Sequence, residues 1–269
     1  MTAASKRSRE DVRMHILDLF KLNGKTAIVT GGGRGLGAQI ARGFAEAGAN
    51  VVVCSRNLEA CEEMREEIKQ LGADSLAVKC DVTNPDDIEK VVNQTVEQFG
   101  TIDILVNNSG ATWGAPVEEM PYEAWEKVLN VNVTGTFLMS QAVGQVMIKQ
   151  HSGKIINIAS IAGFGGTPPF MQTIGYNTSK GAIMTFTKDL AVKWGKYNIN
   201  VNAIAPGFFP TKMSNVLIEQ GREQILAGTP LNRLGEDSDL KGAALFLASK
   251  AADYVSGDIL TVDGGAHAY

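Results

Sequence analysis

The chain has 269 residues, 44% of them hydrophobic and 20% charged, with a formal net charge of −4 at pH 7. That length suits one large α/β domain with a well-buried core, and the charge balance offers no bulk attraction to nucleic acid or to an anionic membrane surface. Cys54, Cys61 and Cys80 are odd in number and lack Cys-x-x-Cys spacing, and His15, His151 and His267 lie far apart, so neither a disulfide framework nor a metal site is expected.

Residues 1–23 form an N-terminal arm. It is polar from Thr2 to Arg13 and has no apolar centre of the kind a signal peptide carries. No apolar run approaches the ~18 residues needed to cross a bilayer. A cytoplasmic, non-membrane protein is therefore expected. Val12, Ile16, Leu19 and Phe20 share a helical face, which reads as an arm that packs on its own domain or on a neighbouring subunit.

From residue 24 to 269, short β-branched runs alternate with longer helical patterns. The runs cover 26–30, 51–54, 75–78, 102–106, 154–158, 200–204 and 259–262, and the helical patterns lie near 36–48, 57–71, 85–99, 121–150, 175–198 and 236–249. The strands are almost continuously apolar, as parallel strands covered on both faces must be. The alternation predicts a single doubly wound, Rossmann-type α/β domain with a seven-stranded parallel sheet.

The first strand runs into Thr30-Gly31-Gly32-Gly33-Arg34-Gly35-Leu36-Gly37 and then a helix. Glycines let the backbone turn sharply and approach a pyrophosphate, and the helix N-terminus adds unpaired N–H groups and a positive dipole end. A glycine-rich turn alone says little. Between the first strand and first helix of a βαβ unit it says much more. Its pattern is Thr-Gly-x-x-x-Gly-x-Gly.

With that turn, the chain from Gly24 onward resembles the single-domain short-chain dehydrogenase/reductase family. The likeness implies further coenzyme contacts: Asp81 with Val82 at the adenine, Asn108 and Gly110 in an Asn107-Asn108-Ser109-Gly110 version of the family's Asn-Asn-Ala-Gly, and Pro206, Gly207 and Thr211 beside the nicotinamide. NAD-binding sheets usually end the second strand with an acid that holds the ribose hydroxyls. Here that strand ends Cys54-Ser55-Arg56-Asn57. With no carboxylate to repel a 2′-phosphate, Ser55, Arg56 and Arg34 point to NADP rather than NAD.

Tyr176 and Lys180 lie four apart on a helix and so share a face, a pair that also arises readily by chance. Ser160 ends the fifth strand and Asn132 lies in the long helix before it. In this order, downstream of the glycine turn, the four resemble the family's Asn-Ser-Tyr-Lys tetrad. Carbonyl reduction builds alkoxide charge, so a proton donor must reach that oxygen. An unperturbed phenol, with a pKa of ~10, is a poor acid or base near neutrality. A cationic Lys180 is expected to lower it, Ser160 to donate a second hydrogen bond, and Asn132, by resemblance, to order a water.

An inactive nucleotide-binding sensor of this fold would be expected to lose Tyr176 or Lys180, and both are present. The substrate is less sharply written. Residues 167–180 and 207–213 resemble the gluconate 5-dehydrogenase branch. That implies a sugar acid met by Gln172, Asn177 and Thr211, with Lys212 or Arg233 on its carboxylate. Trp113, Phe170, Met171, Phe208 and Phe209 would serve a 3-oxoacyl-carrier or steroid-like ketone equally well. Phe170 and Met171 belong to a lengthened segment between Ser160 and Tyr176 that either reaches the substrate or packs beneath it. The resemblance also implies a homotetramer.

Overall fold

The computed structural model describes residues 15–268. Seven parallel strands form one sheet: β1 (Thr26–Thr30), β2 (Asn50–Ser55), β3 (Ser75–Lys79), β4 (Ile104–Asn107), β5 (Gly153–Ile158), β6 (Ile199–Pro206) and β7 (Ile259–Val262). Their order is β3-β2-β1-β4-β5-β6-β7. The helices are α1 (Gly35–Glu46), α2 (Leu58–Gln70), α3 (Pro85–Phe99), α4 (Tyr122–Leu129), α5 (Gly135–Gln150), α6 (Ile174–Trp194), α7 (Asn215–Ala227) and α8 (Asp237–Ala248).

Successive residues of β1 face opposite ways, and each face has its own core. Ala27 and Val29 pack with Phe44, Met64 and Leu247 of α1, α2 and α8, whereas Ile28 packs with Val91, Met139 and Ala191 of α3, α5 and α6. Every residue of β1 is buried. At roughly 1.5–3 kcal/mol for each large apolar side chain removed from water, this two-sided burial sets the strand register. A slip by one residue would exchange the two cores.

Three departures from the sequence reading bear on the site. β4 starts at Ile104 rather than at 102, because the side-chain amide of Gln150 satisfies the N–H and C=O of Ile102 in place of a strand partner. The expected 121–150 helix is interrupted by a π-helical turn over Asn130–Thr134. α7 was not expected. It carries few buried side chains and breaks helical geometry at Gly221 (φ −130°, ψ 25°), so its periodicity is faint.

Among the described residues of the N-terminal arm, a 3-10 turn covers Ile16–Phe20. Ile16 is exposed, Leu19 and Phe20 are half-buried, and Val12 lies outside the described residues. Among the described residues, no helix is long and apolar enough to cross a membrane.

Candidate active site

The strand order turns back between β1 and β4, so the connections leaving their carboxyl ends run to opposite faces and open a crevice. The glycine turn forms one lip. Gly31 and Gly35 have φ of 63° and 56°, a left-handed backbone that favours glycine. A Cβ at Gly37 would lie 2.4 Å from both Asn108 Nδ2 and the Gly31 carbonyl oxygen. That amide donates to the carbonyls of Thr30 (2.9 Å) and Gly31 (3.2 Å). The Thr30 hydroxyl in turn accepts the N–H groups of Asn108 (2.9 Å) and Ser109 (3.0 Å). The turn and the β4 loop are thus one hydrogen-bonded unit.

Gly33 backs onto Ala60, whose carbonyl carbon and oxygen would lie 2.9 Å from an added Cβ. Arg34 occupies the N-cap position of α1 but makes no side-chain cap. The first-turn N–H groups, from Gly35 through Leu36 to Gly37, are left for an anion.

At the β2 edge, Arg56 and Arg34 are exposed, and neither forms an ion pair among the described residues. Ser55 turns inward, its hydroxyl bonded to the Asn57 carbonyl (3.0 Å). Asp81 accepts the Thr83 N–H (3.0 Å) and hydroxyl (2.7 Å). The Thr83 N–H, and to a lesser degree Arg56, hold this carboxyl below its ordinary range. Val82 is buried against Gly135. All three cysteines are free and buried beneath this edge.

The other half of the crevice carries the tetrad. Ser160 follows β5 and caps a short 3-10 turn, accepting the Ala162 N–H at 3.2 Å. Tyr176 and Lys180 are one turn apart on α6. Lys180 is 5% exposed, and its Nζ donates to the Ile158 carbonyl at 2.6 Å and lies 5.5 Å from the centroid of the Tyr176 ring.

Burial brings Lys180 down to about 8. Burial also raises Tyr176, opposed by the hydrogen bond from Ser160. The expected lowering of the phenol by Lys180 is therefore not what the protein alone provides. The ammonium sits beside the ring and is turned to a main-chain carbonyl, and desolvation dominates both groups.

Asn132 occupies the π-helical turn. Its amide donates to the Ala111 carbonyl (2.9 Å) and the Ser179 hydroxyl (2.8 Å), and its oxygen accepts the Ala111 N–H (2.7 Å). Gly110 lies beside it, since a Cβ there would sit 3.5 Å from Asn132 Oδ1. The side chain ties the β4 loop to α6. A regular helix would rotate the amide away from one of those partners.

Ser160 and Tyr176 share the wall of a cavity of about 370 Å³ with Pro206, Gly207 and Thr211. Thr211 also closes against the glycine turn, with its methyl carbon 3.5 Å from where a Cβ of Gly35 would be. Met171, Phe208 and Phe209 line this cavity, but Trp113 and Phe170 do not. Phe170 instead seats its ring on the bare backbone of Gly221 in α7, which resolves the two readings of the lengthened segment: Met171 reaches the cavity and Phe170 packs outside it.

The expected polar partners fare unevenly. Asn177 is committed to Thr167 and Thr173, and Gln172 is absent from the lining. Lys212 does not line the cavity either. Arg233 is held in a bidentate pair by Asp239 and faces a neighbouring cavity of about 470 Å³. Sequence reasoning missed Met213, which lies just before α7, Leu217 and Gln224, which α7 brings to the wall, and His267 near the C-terminus. With α7 unseen, nothing in the pattern marked them.

Residues 31–267 match the family described as enoyl-(acyl carrier protein) reductase. A 2-dehydro-3-deoxy-D-gluconate 5-dehydrogenase from Dickeya dadantii is 42% identical over 253 residues, covering 93% of this chain and 98% of that one. A 3-oxoacyl-[acyl-carrier-protein] reductase from Staphylococcus epidermidis is 38% identical over 242 residues, 90% of this chain and 98% of that one. The crystal structure of a gluconate 5-dehydrogenase from Burkholderia cenocepacia, in complex with NADP and tartrate, superposes with a TM-score of 0.90 at 36% identity, covering 95% and 100%. The chain belongs to the short-chain dehydrogenase/reductase family of oxidoreductases.

Proposed function

We propose that this protein is an NADP-dependent enzyme that interconverts a ketone and a secondary alcohol, with gluconate and 5-ketogluconate as its first candidate pair. One observation carries the reading. The Ser160 hydroxyl and Tyr176 phenol share one cavity wall, with the buried Lys180 behind them, at the sheet edge that also holds the glycine turn. The Burkholderia relative named for gluconate, with its NADP, supports the substrate and the coenzyme.

The residues fit the coenzyme. Glycines 31, 33 and 37 stand where any side chain would collide, and the uncapped start of α1 suits a pyrophosphate. Arg34 and Arg56 form no ion pair among the described residues and suit a 2′-phosphate. Asp81 and Val82 would bound the adenine, and Pro206, Gly207 and Thr211 the nicotinamide. When bound, the nicotinamide ring supplies or accepts the hydride.

The chain supplies the rest. Tyr176 gives its phenolic proton to the forming alkoxide in reduction and takes it back in oxidation. Ser160 donates to the same oxygen. Lys180, with a pKa of about 8, is mostly protonated at neutral pH. It does not lower the phenol in the protein alone, and its charge would favour a transient phenolate only with coenzyme and substrate in place. Asn132 holds the β4 loop against α6. By resemblance to the family, it would also order a water that links Lys180 to solvent.

A 3-oxoacyl or cyclic ketone is the second reading, favoured by the apolar wall of Met171, Phe208 and Met213 and by the acyl-carrier relative. We further propose that residues 24–269 act as one domain, in a cytoplasmic homotetramer whose mass light scattering would give as four chains. The test of function is a panel of ketones and alcohols with both coenzymes, followed by absorbance of the reduced nicotinamide. Consumption of NADPH with 5-ketogluconate is expected. If the enzyme ignores sugar acids but reduces acyl thioesters or bulky cyclic ketones, the substrate reading falls and the carbonyl-reductase core stands.

A further inference from the structure

Among the described residues, the cavity that holds Ser160 and Tyr176 has no lysine, arginine, aspartate or glutamate in its lining. A carboxylate entering it meets none of the cations the sequence suggested, because Arg233 is bound to Asp239 at the neighbouring cavity and Lys212 is not part of the lining. Among the described residues of the wall, His267 is the ionisable side chain besides Tyr176.

Its placement is built rather than incidental. The Asp263 carboxylate accepts the N–H groups of Gly265 (2.9 Å) and His267 (2.7 Å), folding the segment after β7 back toward the crevice. The imidazole then stacks on Phe164 with centroids 4.0 Å apart and planes 12° from parallel. Phe164 belongs to the lengthened segment that follows Ser160, so this stack joins the C-terminal turn to the substrate wall. Stacking covers one face of the imidazole and leaves its edge, with both nitrogens, open. Neither nitrogen has a hydrogen-bond partner among the described residues, and the side chain is exposed. An imidazole donates at least one N–H in either protonation state, and its cation gains further from an aromatic face.

We infer that His267 is the specificity-determining residue that receives the carboxylate of an anionic substrate at the open end of this cavity, while Ser160 and Tyr176 hold the reacting oxygen at the other. The inference rests on reading this cavity as the carbonyl site, and it assigns the substrate class as hydroxy or keto acids rather than uncharged polyols. Asp263 acts through the main chain as a positioning residue for the imidazole.

The test uses the full-length protein saturated with NADP. Tartrate, a four-carbon dicarboxylate, and threitol, its uncharged counterpart, are titrated calorimetrically into wild type, His267→Ala and His267→Lys. The side chain is exposed, so neither variant threatens folding. Tartrate should bind wild type well ahead of threitol, weaken at least about fivefold in His267→Ala, and recover in His267→Lys, with threitol unmoved. Equal tartrate affinity in wild type and His267→Ala overturns the inference, as does wild type that prefers threitol or binds neither. The two readings fail separately. Ketone reduction with tartrate binding indifferent to position 267 removes His267 alone, whereas His267-dependent binding with no turnover of any ketone removes the proposed reaction.

Discussion

Lys180→Met replaces a buried cation with a side chain of similar length and no charge. Burial brings this lysine from an ordinary 10.5 to about 8, and at about 1.36 kcal/mol per pKa unit its charge costs the folded state about 3 kcal/mol at pH 7. The substitution also loses the bond to the Ile158 carbonyl, a contribution of about 1 kcal/mol. Net stabilisation of about 2 kcal/mol follows, or a rise of about 4–8 °C in Tm for a chain of this size. The sign with pH is fixed by the direction of the shift. Between 8 and 10.5 the unfolded chain still binds the proton that the folded chain has released, so wild type gains stability over that window and the gap to the variant closes. Thermal unfolding by circular dichroism at pH 7, 8, 9 and 10 measures it, and turnover should fall at least ~100-fold in the same variant. A variant less stable than wild type at pH 7, or a gap that ignores pH, would refute the reasoning.

Arg56→Ala should raise the apparent constant for NADPH about tenfold and leave that for NADH nearly unchanged, as steady-state kinetics with both coenzymes would show. Gly221→Ala places a Cβ 2.5 Å from the Phe170 ring and should dislodge the Thr167–Thr173 segment. The expected reading is a several-fold higher KM for substrate with the coenzyme constant unmoved. Asn132→Ala removes the three side-chain hydrogen bonds by which Asn132 joins the β4 loop, through Ala111, to α6, through Ser179, and chemical denaturation should register a loss of about 2–3 kcal/mol.

The parts of the protein legible in the sequence are those where local chemistry and global position agree. Thr26–Thr30 is apolar enough to be buried on both faces, and the glycines after it sit where neighbouring atoms exclude a Cβ, so residue type alone carried strand, turn and helix. The four tetrad candidates were legible through their resemblance to the family's order along the chain, and each stands at an element that ends or passes at one sheet edge.

What sequence could not carry depended on competition between partners. Arg233 seemed free for a substrate, yet Asp239 in the first turn of α8 claims it. Asn177 seemed to be a substrate ligand, yet two threonines of the lengthened segment take both ends of its amide. α7 roofs a cavity rather than a core, and a helix in that position needs no apolar stripe. The π-helical turn at Asn132 is set by Ala111 and Ser179, one far upstream and the other far downstream, which no local pattern records.

Tyr176→Phe tests the central claim most directly. It keeps the ring against Lys180 and removes only the phenolic proton. NADPH binding, measured by titration, should match wild type, while NADPH oxidation with a ketone that wild type reduces should slow at least ~100-fold. Turnover close to wild type in this variant would contradict the assignment of the proton to Tyr176 and the mechanism built on it.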